Sequence, residues 1–235
     1  MALFGTLVNG GLIILGSLLG LMFTKIPERY KETVMHGIGL AVILIGIQMA
    51  FSTQLIIVVL LSLLTGAIIG EMFNLEEKLN LFGKWIGNKF TTSLEGNNSI
   101  SQGFVTASLI FVVGAMAIIG ALDSGIRGDH EVLITKGILD GFVALVLTTT
   151  LGFGVALSVI PVVLYQGSIA LLATQIESWI PDSFLNGLIV ELTAVGGLLI
   201  VAIGLNMLKV VQIRVGNLLP SILMVGVIYY LYQLF

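Results

Sequence analysis

No cysteine occurs among the 235 residues, which excludes disulfides, thiolate catalysis and Cys-ligated metals. Charge is nearly as scarce: Asp, Glu, Lys and Arg make up 10% of the chain against 57% hydrophobic residues, and mean hydropathy is +1.11. So little polar surface cannot cover a soluble globule. The period-two alternation of a β-barrel is missing as well. No Lys or Arg precedes the first apolar run, so the opening segment lacks the basic flank of a cleaved signal peptide and is expected to be a retained span. A P-loop, an HExxH pair, a nucleophile elbow and an aromatic–basic nucleic-acid surface are also missing. No ATP-driven pump, nucleic-acid partner or cofactor is therefore expected, and no acid, base and nucleophile converge to suggest an enzyme.

What remains is a series of apolar runs long enough to cross a bilayer as helices, about 20 residues for roughly 30 Å of hydrocarbon. Eight spans are predicted: 3–23, 34–52, 54–72, 101–122, 133–157, 161–178, 185–207 and 216–234. The sixth is short enough to be re-entrant. With eight crossings, Lys25, Arg29, Lys31, Lys78, Lys84, Lys89, Lys209 and Arg214 all fall on one side. That side is expected to be cytoplasmic, which places both termini outside. Between spans 3 and 4, Leu75, Leu79, Phe82, Ile86 and Phe90 recur at helical spacing opposite Glu76, Glu77 and Lys84, the pattern of an amphipathic helix on the inner leaflet. "EGNNS" at 95–99 is expected to break that helix before span 4.

Two pentads, "IGIQM" at 45–49 and "IGLNM" at 203–207, point to an internal repeat. Their flanks agree in order: "VNGGLIILG" at 8–16 resembles "YQGSIALLA" at 165–173, "KIPERY" at 25–30 resembles "WIPDSF" at 179–184, and "GLAVILIGIQM" resembles "GLLIVAIGLNM". Unit A (1–72) thus corresponds to unit B (161–235), with a linker at 73–100 and a central hairpin at 101–160, all within one transmembrane domain. Because five spans separate the starts of the two units, their topologies are inverted, a plan used by many secondary transporters around a midplane site. The repeat is expected to put Asn9 and Gln48 toward the outer ends of their helices and Gln166 and Asn206 toward the inner ends, giving two amide clusters at opposite faces. These amides serve either as interhelical glue or as lining of a path. "GSLLG" at 16–20, "GAIIG" at 66–70 and "GILDG" at 137–141 are small-xxx-small patterns that let helix backbones approach, inside a bundle or across a homodimer seam.

Asp140 and Glu191 are the intramembrane charges most in need of a partner. Lys136, one turn before Asp140, suits a local ion pair; Glu191 has no such neighbour in its helix and is a candidate for proton or cation coupling alongside Asp140. "LTTTLGFG" at 147–154 sets Thr148, Thr149 and Thr150 beside two glycines, and "FVTAS" at 104–108 adds Thr106 and Ser108. These hydroxyls mark a discontinuous or solute-lining segment, with close helix packing as the alternative. Asp129 ahead of span 5 suits an N-cap as well as an outer cation site.

The stretch "GFVTASLIFVVGAMAIIGALDSGIRGDHEVLITKGILDG", with "GVALSVIPVVLYQG" and "TAVGGLLIVAIGLNML", resembles the bacterial membrane family called domain of unknown function 554, the YqgA/YdfK-like proteins, across essentially the whole chain. The matching positions are Gly114, Gly128, Asp129, Lys136, Asp140, Gly141, Gln166, Gly167, Gly196, Gly197, Gly204 and Asn206. The resemblance implies a bacterial cytoplasmic-membrane protein of transporter-like character and assigns no activity. The functional expectation is a secondary transporter or permease-like protein for a small polar or ionic solute. A non-transporting scaffold or subunit, or a passive channel, is the alternative. Its expected partners are the lipid bilayer and a second copy of itself. A cysteine placed at Asn80 should react with a membrane-impermeant maleimide only from the cytoplasmic side, and one at Ile126 only from outside; labelling of Asn80→Cys on intact cells would reverse the topology.

Overall fold

A computed structural model of the chain describes residues 2–22, 28–78, 81, 94–112 and 115–234. Among them the regular structure is entirely helical: α1 Phe4–Met22, α2 Glu28–Ala50, α3 Ile56–Phe73, α4 Leu94–Val112, α5 Ala115–Ile126, α6 Glu131–Leu151, α7 Gly154–Leu157, α8 Val159–Trp179, α9 Asp182–Met207, α10 Val215–Leu218 and α11 Pro220–Tyr232. Six stretches are long and apolar enough to cross a membrane: Phe4–Met22, Ile56–Phe73, Glu131–Leu151, Gly154–Ile176, Ser183–Met207 and Val215–Tyr232. Ile100–Val112 and Met116–Ile126, bent by 60°, make a seventh if taken together. The expected second span corresponds to α2, whose apolar part, His36–Ala50, is shorter than a full crossing.

Three boundaries differ from expectation. Residues 95–99 form the first turns of α4 instead of lying outside a helix, while the linker ahead of them at 82–93 lies outside the described residues. The fifth span ends at Leu151, not near 157, because Gly152 takes a left-handed φ of +69°, a conformation in which glycine has no Cβ penalty. The sixth consequently begins at Gly154 and is a full-length span of 23 residues, not a short one. Of the amphipathic linker, 75–78 are helical; positions 79, 80 and 82–93 lie outside the described residues, as does Gly114.

The chain divides into two compact units, one of Met1–Val34 with Phe82–Pro181 and one of Met35–Leu81 with Asp182–Phe235. In the first, α1 packs along α6 in parallel. A Cβ on Gly16 would fall 1.9 Å from the Gly141 carbonyl oxygen, one on Gly20 2.5 Å from the Leu145 oxygen, and one on Gly137 2.9 Å from the Asn9 Cα. Backbones therefore touch along this pair, which suits association in lipid, where close van der Waals contact replaces the hydrophobic effect. Helix α6 buries Lys136, Asp140 and Thr148 while exposing Ile138, Leu139 and Phe142. Polar groups inside and apolar ones outside is the reverse of a water-soluble helix.

In the second unit, Val59 of α3, Ala194 and Val195 of α9 and Val225 of α11 form the core, with Leu63, Leu188 and Leu192 packed against it. Helix α3 meets the α10–α11 region at Gly66 and Gly70, where an added Cβ would lie 2.3 Å from the Ser221 nitrogen and 1.9 Å from the Asn217 oxygen. Helices α2 and α9 cross antiparallel: a Cβ on Gly46 would approach the Gly197 oxygen at 2.7 Å, and one on Gly204 the Gly39 oxygen at 2.9 Å. The small-residue faces at Gly16, Gly66 and Gly137 are thus occupied within the chain, so a homodimer would have to use other surfaces.

A Gly16→Ala substitution should destabilise the protein by about 1–3 kcal/mol through overpacking. Gly11→Ala, whose new methyl meets nothing within 4 Å, should stabilise it by about 0.5–1 kcal/mol. Melting of the two purified variants in detergent checks the pair, and equal melting temperatures would contradict the packing described.

Candidate functional site

The first unit carries a polar cluster built by α1, α6 and α8. Lys136 and Asp140 lie one turn apart on α6 and form an ion pair, with side chains 7% and 10% exposed. Asp140 is the tenth of the 21 residues of α6, so the pair sits mid-helix. Because Gly137 lacks a side chain, the α1 backbone at Asn9 fits against α6 beside the pair. Asn9 Nδ2 donates to Gln166 Oε1 of α8 at 3.2 Å. Both amides are fully buried.

The cluster is not closed. Asn9 Oδ1, Gln166 Nε2 and Thr6 Oγ1, the last one turn before Asn9, are buried without a hydrogen-bond partner. An unmet buried polar group costs about 1–3 kcal/mol. Among the described residues of the first unit the other unpartnered buried groups, Ser17, Ser108 and Thr148, are hydroxyls; Asn9 and Gln166 are the amides left with unmet capacity to bind something polar. With the Asn9 NH₂ group donating to the Gln166 oxygen, a bare acceptor is left on Asn9 and a bare donor on Gln166.

The arrangement corrects one expectation. The repeat alignment puts Asn9 and Gln166 in separate clusters at opposite faces, yet they bond to each other. The cause is the chain reversal at Gly152 and Phe153: with the span starting at Gly154, Gln166 comes to its middle instead of its inner end. Gln48 is exposed on α2, and Asn206 is engaged elsewhere. Its Nδ2 donates to the Ile213 carbonyl at 2.7 Å and its Oδ1 accepts the Ile213 N–H at 2.8 Å, closing the turn that follows α9.

Glu191, 1% exposed, accepts from Thr53 Oγ1 at 2.5 Å, Gln54 N at 2.8 Å and Leu55 N at 3.0 Å. It thereby supplies the negative charge and acceptors that the N-terminus of α3 needs. At the other end of α3, Arg214 Nη1 pairs with Glu71 at 2.5 Å, Asn217 Nδ2 donates to Glu71, Asn217 Oδ1 accepts the Glu76 N–H at 2.7 Å, and Glu76 accepts the Gly216 N–H at 2.6 Å. Carboxylates therefore fasten chain turns to both ends of α3.

Among the hydroxyl candidates, Thr149 and Thr150 donate to the Val146 and Leu147 carbonyls of their own helix at 2.7 and 3.0 Å. The Thr148 and Ser108 hydroxyls are buried without partners, and Thr106 is buried on α4. Helix α4 reaches the α6–α7 break closely: a Cβ on Gly154 would lie 2.1 Å from the Ile100 oxygen. The sequence had marked Asn9, Gln166 and Asp140 individually but not as one cluster, nor Thr6 at all. Thr6 shares a helical face with Asn9 at i, i+3, the one signal that could have found it. At the start of α6, Asp129 Oδ1 accepts the Glu131 N–H at 3.0 Å, and Ser124 Oγ, 2.8 Å from His130 Nδ1, donates to the Ala2 carbonyl.

The family model described as "Protein of unknown function (DUF554)" matches residues 4–230. The chain is 35% identical over 238 residues to "Uncharacterized membrane protein YdfK" of Bacillus subtilis (strain 168), covering 99% of this chain and 98% of that one. It is 31% identical over 223 residues to "Uncharacterized protein YqgA" of Escherichia coli (strain K12), covering 94% and 93%. No solved structure matches. The apolar helices and the name of the Bacillus relative agree on a multi-pass membrane protein.

Hydrogen bonds to a charged group contribute about 1.5–3 kcal/mol each, so Glu191→Ala should unfold at clearly lower temperature. Glu191→Gln, which keeps one acceptor oxygen for the α3 backbone, should recover part of the loss. Thermal melting of both variants decides whether the carboxylate holds the turn; an unshifted Glu191→Ala would remove that role.

Proposed function

The chain belongs to the DUF554 family, and on that premise we propose that it is a secondary transporter or permease-like protein of the bacterial cytoplasmic membrane for a small polar or ionic solute. Its plan is eight spans, counting the bent α4–α5 pair and α2, with both termini outside and spans 1–3 repeated inverted as spans 6–8. The observation that carries the reading is the Lys136–Asp140 pair buried at mid-helix, with the Asn9–Gln166 amide pair beside it where α1 packs on Gly137. Ionisable groups at membrane depth are costly, and their usual use is in a substrate or ion pathway.

Support for the inverted repeat comes from reciprocity. Asn9 and Gln166 are equivalent positions in the two repeats, and they hydrogen-bond to each other between antiparallel helices. Gly39 corresponds to Gly197 and Gly46 to Gly204; Gly46 meets Gly197 while Gly204 meets Gly39. Exchange of equivalent partners is what a local two-fold axis produces, and inverted repeats of this kind build midplane sites in transporters.

Of the two carboxylates considered for coupling, Asp140 is better placed than Glu191, whose oxygens already serve the α3 N-terminus. Thr148 and Ser108, with free hydroxyls, fit a lining role better than Thr149 and Thr150. The clamps made by Glu191 and Asn206 favour the scaffold alternative for those two residues: they hold turns and need no solute.

Removing one member of a buried ion pair costs about 3–5 kcal/mol, whereas replacing both by apolar residues can be nearly neutral. Asp140→Leu should therefore melt far below the parent, and Lys136→Met/Asp140→Leu should melt near it. In a thermal-shift screen of small polar solutes, a compound that stabilises the parent should fail to stabilise the double variant. Undiminished stabilisation of the double variant would refute a solute site at this pair.

A further inference from the structure

The three unpartnered atoms around the ion pair define a chemistry narrower than "polar or ionic". Lys136 and Asp140 are each other's counterion, so their charges sum to zero. Helix α1 carries no charged residue, and the next charged residue along α6 is Glu131, five positions before Lys136, or about 7.5 Å at 1.5 Å per residue, and exposed at the helix start. An anion entering here would leave a net negative charge in a low-dielectric surrounding, and a cation a net positive one, and neither is compensated by the groups present. A neutral guest meets no such penalty.

The hydrogen-bond inventory is equally selective. Asn9 Oδ1 offers an acceptor, Gln166 Nε2 offers a donor, and Thr6 Oγ1 can do either. Because Asn9 Nδ2 and Gln166 Oε1 are bonded to each other at 3.2 Å, the free oxygen and free nitrogen belong to one amide–amide pair. If both amides were turned over, the pair would still show one bare donor and one bare acceptor. A guest that satisfies both must itself carry a donor and an acceptor close together, as a carboxamide, a urea or a vicinal diol does and as a carboxylate or an ammonium does not.

We propose that Asn9, Gln166 and Thr6 form the recognition site for an uncharged small solute bearing adjoining hydrogen-bond donor and acceptor groups, with the closed Lys136–Asp140 pair as its charge-neutral wall. This rests on the transport reading and selects the uncharged class within it.

The test uses the full chain in liposomes, with urea and glycerol as neutral probes and guanidinium and acetate as charged ones, entry being followed by stopped-flow light scattering. Urea or glycerol should enter at least tenfold faster than into protein-free liposomes. That excess should vanish in Gln166→Met and in Thr6→Val and persist in Ser168→Ala, whose exposed hydroxyl bonds only its own helix at the Leu164 carbonyl. Protein-dependent entry of guanidinium or acetate alone would overturn the neutral class and leave the transport reading standing. Entry of none of the four, with Gln166→Met melting at or above the parent temperature, would mark the amides as dry packing and remove both. Neutral entry that survives in Gln166→Met and Thr6→Val would place recognition elsewhere and overturn this assignment.

Discussion

Where Gly16 of α1 lies against Gly141 of α6, two helix backbones touch, and an added methyl on Gly16 would sit 1.9 Å from a carbonyl oxygen. That contact sets the register of the first unit. It puts Asn9 over Gly137, between Lys136 and Asp140 in height, and so brings the amide beside the ion pair. In lipid no hydrophobic effect drives helices together, so the small-residue seam does two jobs: it supplies the contact area and aligns the polar groups that would otherwise be exposed to hydrocarbon.

The two units solve the problem of buried polarity differently. In the second, carboxylates and amides are consumed by backbone: Glu191 takes the N–H groups of Gln54 and Leu55, Asn206 closes on Ile213, and Glu76 takes Gly216. Every one of these bonds fastens a turn to a helix. In the first unit the ion pair and amides bond chiefly to one another and leave atoms over. Fully satisfied networks rigidify a structure, whereas a buried amide with an unmet atom is costly and calls for a further partner.

Glycine acts here in a second way. At Gly152 it is conformational freedom that counts: a φ of +69° ends α6 and starts the next span at Gly154, which carries Gln166 to the level of Asn9. A residue with a Cβ would strain that turn. The chemistry of the cluster therefore depends on a backbone torsion at Gly152, fourteen residues before Gln166 and far from Asn9 in sequence.

Composition and pattern together determined that the protein is helical and membrane-embedded, since few charges and long apolar runs without period-two alternation leave the helix to satisfy the backbone in lipid. Sequence alone also found the Lys136–Asp140 pair, because i, i+4 spacing is a local property of a helix, and it identified the glycines at which helices come close. The pairing of Asn9 with Gln166, the capping of α3 by Glu191 and the closure of the turn by Asn206 were decided only by tertiary structure. Each joins atoms through a chain reversal or across helices, and hydropathy patterns record which residues are apolar but not where a turn falls within two or three residues. A shift of that size moved Gln166 from a helix end to its centre and merged two expected clusters into one.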